Sequence, residues 1–162
     1  MALAIRPATA ADDDAIWAIL KPVIEAGDSL VADPRGGRAG ALAYWRPPGA
    51  ETFVAEEEGR VLGTYYLKPN QPGGGAHVAN AGYCTAPWAR GRGVARKMLA
   101  HSLEEARARG FRAMQFNFVV ATNTRAIETW DRAGFTVVGR LPEAFRHPAE
   151  GLVDALVMHR RL

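Results

Sequence analysis

The stretch "APWARGRGVARKM", residues 86 to 98, decides how this chain is read. It lies where an extended segment, "HVANAGYCT" (77–85), gives way to a helical pattern. Glycine is a costly residue there, about 1 kcal/mol worse than alanine inside a helix. Gly91 and Gly93 therefore need a compensating role. A helix start presents backbone N–H groups with no intrahelical partner, at the positive end of the helix dipole. A phosphate satisfies both. Glycine lets an anion approach the backbone, and Arg90 and Arg92 add charge at the rim. The same residues would suit a basic surface turn, or an arginine-glycine element touching RNA. No Gly-Lys-Ser/Thr follows, so this is not a Walker loop, and the glycines do not fit the dinucleotide fingerprint.

The rest of the chain narrows the choice. Its 162 residues, 48% hydrophobic and 23% charged, suit one soluble globular domain spanning 1–162. A net charge of +3 is too mild to argue for nucleic acid. Cys84 is the only cysteine, which excludes an internal disulfide and any multi-cysteine metal site and fits a reducing compartment. The N-terminal "MALAIRPATAADDD" turns acidic too early for a signal peptide, and no apolar run approaches the roughly 20 residues of a membrane span. A cytoplasmic protein is expected, without metal, membrane or nucleic-acid partners.

Periodicity gives the element order. "LAIRPAT" alternates as a first strand, and Thr9 with Asp12 resembles a capping box before a helix carrying Ile16, Trp17, Leu20 and Ile24. Pro22 is expected to kink or end that helix. A long Gly- and Pro-rich loop over 27–50 holds one short helix near Leu42 to Trp45. "TFVAEEEGRVLGTYYLK" reads as a hairpin turning at Glu58 and Gly59. A strand over 77–85, a helix over about 93–109, a strand over 112–120 and a second glycine-terminated helix follow. "FTVVGRL" and "GLVDALVMHR" close the order. The fold class is α/β: a sheet of about seven strands with helices on both faces.

Two motifs then point to one family. Arg90-Gly91-Arg92-Gly93-Val94-Ala95 resembles the acetyl-CoA signature of the GNAT acetyltransferases, Arg/Gln-x-x-Gly-x-Gly/Ala. Asn123, Ala126, Trp130, Gly134 and Phe135 resemble that family's second motif, Asn-x-x-Ala-x-x-x-Tyr-x-x-x-Gly-Phe. The resemblance runs element by element along essentially the whole chain. It implies a mixed, mostly antiparallel sheet whose fourth and fifth strands splay apart, with acetyl-pantetheine lying in the gap like an added strand. The diphosphate would take N–H bonds from about Arg92 to Ala95, and Asn123 would bind the pantetheine arm or serve as a plain N-cap. A free backbone N–H near Cys84 or Thr85 would polarise the thioester carbonyl as a one-donor oxyanion hole. Trp130 departs from the family's tyrosine. It either orients the leaving sulfur or belongs to the core, since indole N–H is no usable acid.

Asn80 and Asn117 each interrupt an apolar strand. Buried amides there would be either a structural bridge or a clamp in the acceptor pocket. "ANAGY", "FNFVV" and "TNTRA" look similar to a GNAT subgroup that acetylates proline-like amino acids such as azetidine-2-carboxylate. There the two strand asparagines hold the substrate carboxylate and the third serves the cofactor. No general base stands out among Glu25, Asp28, Tyr83, His147 and a water relay. The expected activity is transfer from acetyl-CoA to a small amine by direct attack. A protein N-terminal acetyltransferase and a non-catalytic CoA sensor are the alternatives. Relatives' dimers make a homodimer a further option.

Overall fold

The first helix begins where the acidic run stands. In the computed structural model, which describes residues 2–162, the Asp12 carboxylate accepts the Thr9 N–H at 2.7 Å. It also pairs with both terminal nitrogens of Arg6, at 2.9 Å each, on strand β1 (Ala4–Pro7). Helix α1 (Asp13–Ala26) follows; Pro22 does not end it, and it continues until Gly27 closes it at φ 67°. Proline forfeits one helical hydrogen bond. Ile16, Ile19, Leu20 and Ile24 are all buried on the same helix, each contributing roughly 1.5–3 kcal/mol, and this outweighs the loss.

Helix α2 (Gly37–Trp45) precedes the hairpin of β2 (Glu51–Glu57) and β3 (Arg60–Pro69). Both turn residues, Glu58 and Gly59, have positive φ, at 51° and 76°, as a tight two-residue hairpin requires. Then come β4 (Val78–Thr85), α3 (Val94–Ala108), β5 (Ala113–Val120), α4 (Thr124–Arg132), β6 (Thr136–His147) and β7 (Gly151–Arg161). The seven strands form one sheet in the order β1-β2-β3-β4-β5-β7-β6. Every neighbouring pair is antiparallel except β4 and β5.

Helices cover both faces. On one, Trp45 of α2 is fully buried and its indole N–H donates to Thr64 Oγ1 of β3 at 3.0 Å. On the other, α3 lies close to β3 because Gly63 has no side chain. A Cβ there would stand 2.8 Å from Val94 and 2.9 Å from Met98. Trp130 of α4 packs on that second face too, against Tyr83 and Phe116 at ring separations of 5.2 and 4.8 Å.

The feature that matters for function is the β4–β5 pairing. These parallel strands share only two register pairs, Val78 with Ala113 and Ala79 with Met114. Beyond them the strands part, as the resemblance implied. Among the described residues, no helix is long and apolar enough to cross a membrane.

Candidate functional site

The ladder's phase decides which backbone groups face the gap. The Ala86 N–H donates to the Leu62 carbonyl and the Asn70 N–H to the Val78 carbonyl, both at 2.8 Å. In an antiparallel pair, alternate residues exchange hydrogen bonds with the partner strand. Even-numbered residues of β4 are therefore committed to β3, and odd-numbered ones turn towards β5. The His77 carbonyl accordingly accepts from the Arg112 N–H at 2.8 Å. Past the last β4–β5 pair, the N–H groups of Tyr83 and Thr85 face open space. Of the two expected oxyanion donors, Thr85 has its N–H in the gap and Cys84 does not.

The gap belongs to a cleft of about 890 Å³ that also reaches the start of α3. Arg90, Gly91, Gly93, Val94, Ala95 and Asn123 line it, with Tyr83, Cys84 and Thr85. Gly91 and Gly93 sit at φ 77° and 75°, a left-handed conformation that strains other residues, and a Cβ on either would point into open space. Conformation is thus the first reason for these glycines. Gly93 is the N-cap of α3 and has no side chain to cap with; the first helical bond runs from the Lys97 N–H to its carbonyl, at 3.1 Å. The N–H groups of Val94, Ala95 and Arg96 have no partner among the described residues, at the positive end of a 15-residue helix. A diphosphate fits this start.

Arg92 departs from expectation. Its guanidinium pairs with Glu57 at the end of β2 and does not line the cleft. Of the two arginines expected at the rim, Arg90 keeps its place in the cleft lining and Arg92 can offer only its backbone. Asn123 caps α4, its Oδ1 accepting from the Ala126 N–H at 3.3 Å, which leaves its Nδ2 for a ligand. Trp130 does not line the cleft either; it is wedged between Tyr83 and Phe116 as packing. Arg125, Thr129 and Arg132, none of them expected at the site, also line the cleft. Their spacing of four and three puts them on one face of α4, a signal the sequence carried.

The other chemical groups are sorted by their surroundings. Burial pushes the Cys84 thiol up to about 12, and its sulfur points to the Ile19 carbonyl. It is no ready nucleophile. Burial likewise raises Tyr83. Ser102 spends its proton on the Leu99 carbonyl at 2.7 Å, so the Tyr83 hydroxyl donates to Ser102 at 2.6 Å. Tyr83 thus lends the cleft its ring and backbone, not its proton. Glu25 is exposed, 3.9 Å from Lys21, and outside the cleft. Asp28 and His147 line it.

The asparagines separate. Asn80 is buried, and its Nδ2 donates to the Gln115 carbonyl on β5 at 2.9 Å. Asn117, expected to be buried, is exposed; its Oδ1 accepts from Gln115 Nε2 at 2.9 Å and its Nδ2 donates to Asn70 Oδ1 at 2.7 Å. The alternation that buries Phe116 turns its neighbour outward, which an apolar run conceals.

Comparison with known proteins agrees with this geometry. The model of the acetyltransferase (GNAT) family matches residues 23–135. Over 111 residues, 68% of this chain, the sequence is 36% identical to the N-acetyltransferase aca1 of Schizosaccharomyces pombe. That match spans 53% of aca1, so the chain corresponds to about half of its length. The structure of a GCN5-related N-acetyltransferase from Kribbella flavida is similar with a TM-score of 0.93 at 44% identity, covering 99% of this chain and 98% of the other. That of yncA from Salmonella typhimurium, solved with its cofactor acetyl-CoA, gives 0.86 at 24% identity over 100% of this chain and 95% of the other, a likeness of fold. The chain belongs to the acetyltransferase (GNAT) family.

Proposed function

We propose that this chain, read over 1–162 as one cytoplasmic acetyltransferase domain, moves an acetyl group from acetyl-CoA to the amine of a small amino-acid-like molecule. The observation that carries the reading is the parting of β4 from β5, which frees the Tyr83 and Thr85 N–H groups beside an uncapped α3. On this reading the acetyl-pantetheine arm adds to β4 as a strand would, and the backbone at 92–95 binds the diphosphate. Arg90, Arg125 and Arg132 add charge for phosphates, and Asn123 Nδ2 binds the arm.

The amine nitrogen attacks the thioester carbonyl carbon, the C–S bond breaks, and its electron pair leaves on sulfur. An ammonium substrate gives up two protons in all; one ends on sulfur and one in water. The Thr85 N–H stabilises the developing oxyanion, a kind of contact whose loss costs on the order of 3 kcal/mol in studied enzymes. Sulfur needs little help in leaving if its thiol resembles that of cysteine, with a pKa of about 8.5. Trp130 then serves by packing.

The likeness to acetyltransferases of proline-like amino acids bears on the acceptor. Asn117 is exposed and can exchange Asn70 for a substrate carboxylate, whereas Asn80 is engaged by Gln115 and shapes the gap. Incubation of the protein with acetyl-CoA and a panel of amino acids tests the reading, with thiol release and the mass of the acetylated product as readouts. Tight CoA binding with no thiol release from any amine would make the chain a sensor instead.

A further inference from the structure

Charge is unevenly distributed along the cleft. Arg90 and Arg96 flank the start of α3, and Arg125 and Arg132 stand on α4. Among the described residues lining the cleft, Asp28 is the one carboxylate, and it comes from the loop between α1 and α2. Arginine pairs off most acids near it in sequence: Asp12 with Arg6, Asp13 with Arg46, Asp14 with Arg38 and Asp33 with Arg35. Asp28 has no cation within 4 Å among the described residues, although four arginines share its cleft. The other candidate proton acceptors are engaged elsewhere. Glu25 lies outside, Tyr83 donates to Ser102, and His147 Nδ1 already accepts two backbone N–H groups.

We infer that Asp28 marks the acceptor end of the cleft and draws in the ammonium group of a cationic amine. The inference rests on the acetyltransferase reading above and narrows its substrate class. Among the described residues, Asp28 is the one carboxylate in a cleft whose other charged lining groups are four arginines, so an ammonium ion is drawn to it and away from them. The arginines, which come from the start of α3 and from α4, attract phosphate and repel an ammonium ion, so charge orients the two substrates. Docked at Asp28, the ammonium passes one proton to the carboxylate and on to water. The freed lone pair attacks the thioester carbon, and the C–S electron pair leaves on sulfur. The second nitrogen proton departs as the amide forms, and the thiolate takes up one proton in exchange.

The test compares the wild type with Asp28→Asn and Asp28→Glu on two acceptors, n-butylamine, cationic at neutral pH, and hydroxylamine, largely neutral. Asp28→Asn is expected to raise the KM for n-butylamine about tenfold and to weaken its binding, followed by saturation-transfer NMR with CoA present. The KM values for hydroxylamine and acetyl-CoA should stay within about twofold, and Asp28→Glu should restore much of the loss. An equal loss on both acceptors, no loss on either, or use of hydroxylamine by a wild type that neither binds nor acetylates n-butylamine would overturn the inference alone. Absence of thiol release from every amine would overturn the acetyltransferase reading itself, and the inference with it.

Discussion

The side-chain amide of Asn80 on β4 donates to the main-chain carbonyl of Gln115 on β5 at 2.9 Å, one residue past the last register pair of those strands. A side chain thus takes over where the backbone ladder stops. The Tyr66 hydroxyl in turn donates to Asn80 Oδ1 at 3.4 Å. Asn80→Ala leaves the Gln115 carbonyl unpaired and should cost about 1–3 kcal/mol of stability, measured by urea denaturation. Because the bridge sets the mouth of the gap, KM should rise for acetyl-CoA and acceptor together. A rise for the acceptor alone, with stability unchanged, would make Asn80 a substrate ligand and not a bridge.

Gly93 combines two requirements that mutation can separate. Its φ of 75° strains any residue with a Cβ, by roughly 1–2 kcal/mol. Gly93→Ala should therefore lower the melting temperature while acetyl-CoA binding weakens by about tenfold or less. Gly93→Glu adds a carboxylate where phosphate is expected and should weaken binding by a further factor of about ten or more, read by titration calorimetry. Equal affinities for the two variants would mean that no anion sits there.

Much of this was legible in the sequence, because the signals were local. The glycines before α3, the hairpin turn at Glu58 and Gly59 and the succession of seven strands along the chain all follow from short-range rules. What stayed hidden depended on partners far along the chain. Nothing near Arg92 announces that Glu57, 35 residues earlier, holds its side chain. The apolar run around Asn117 masked a strand with one face outward, and only the β3–β4 register shows that Thr85, not Cys84, turns its N–H to the gap.

Asp12 makes acid stability a readable quantity. Hydrogen bonds from Arg6, with help from the Thr9 N–H, hold its carboxyl at about 2, below the ordinary 3.8, despite the opposing effect of burial. Since the folded-state value is the lower one, its contribution is fully present above a pH of about 4 and fades as the pH falls through about 2. Arg6 is 39% exposed, so solvent screening reduces the contribution to about 1–2 kcal/mol. Asp12→Asn should lower stability by that amount at neutral pH and flatten the loss between pH 4 and 2, in denaturant midpoints measured across that range. An unchanged acid limb would place the pH sensitivity elsewhere.

His147 lines the cleft from the end of β6, and its hydrogen bonds assign it a role. Nδ1 accepts the N–H groups of Ala149 and Glu150, each at 3.1 Å. A ring nitrogen that accepts carries no proton, so the proton of the neutral ring sits on Nε2, which makes that atom a donor and not a base. Asparagine at this position can accept the same two N–H groups through Oδ1, keeping the turn while losing the distal donor. Alanine loses both. If the Nε2–H holds a substrate oxygen, His147→Asn should keep the wild-type melting temperature yet lose about tenfold in kcat/KM, with the shape of the pH profile unchanged. Full activity in His147→Asn, with loss only in His147→Ala, would reduce His147 to a turn-former. Disappearance of the acid limb in His147→Asn would instead make it the base.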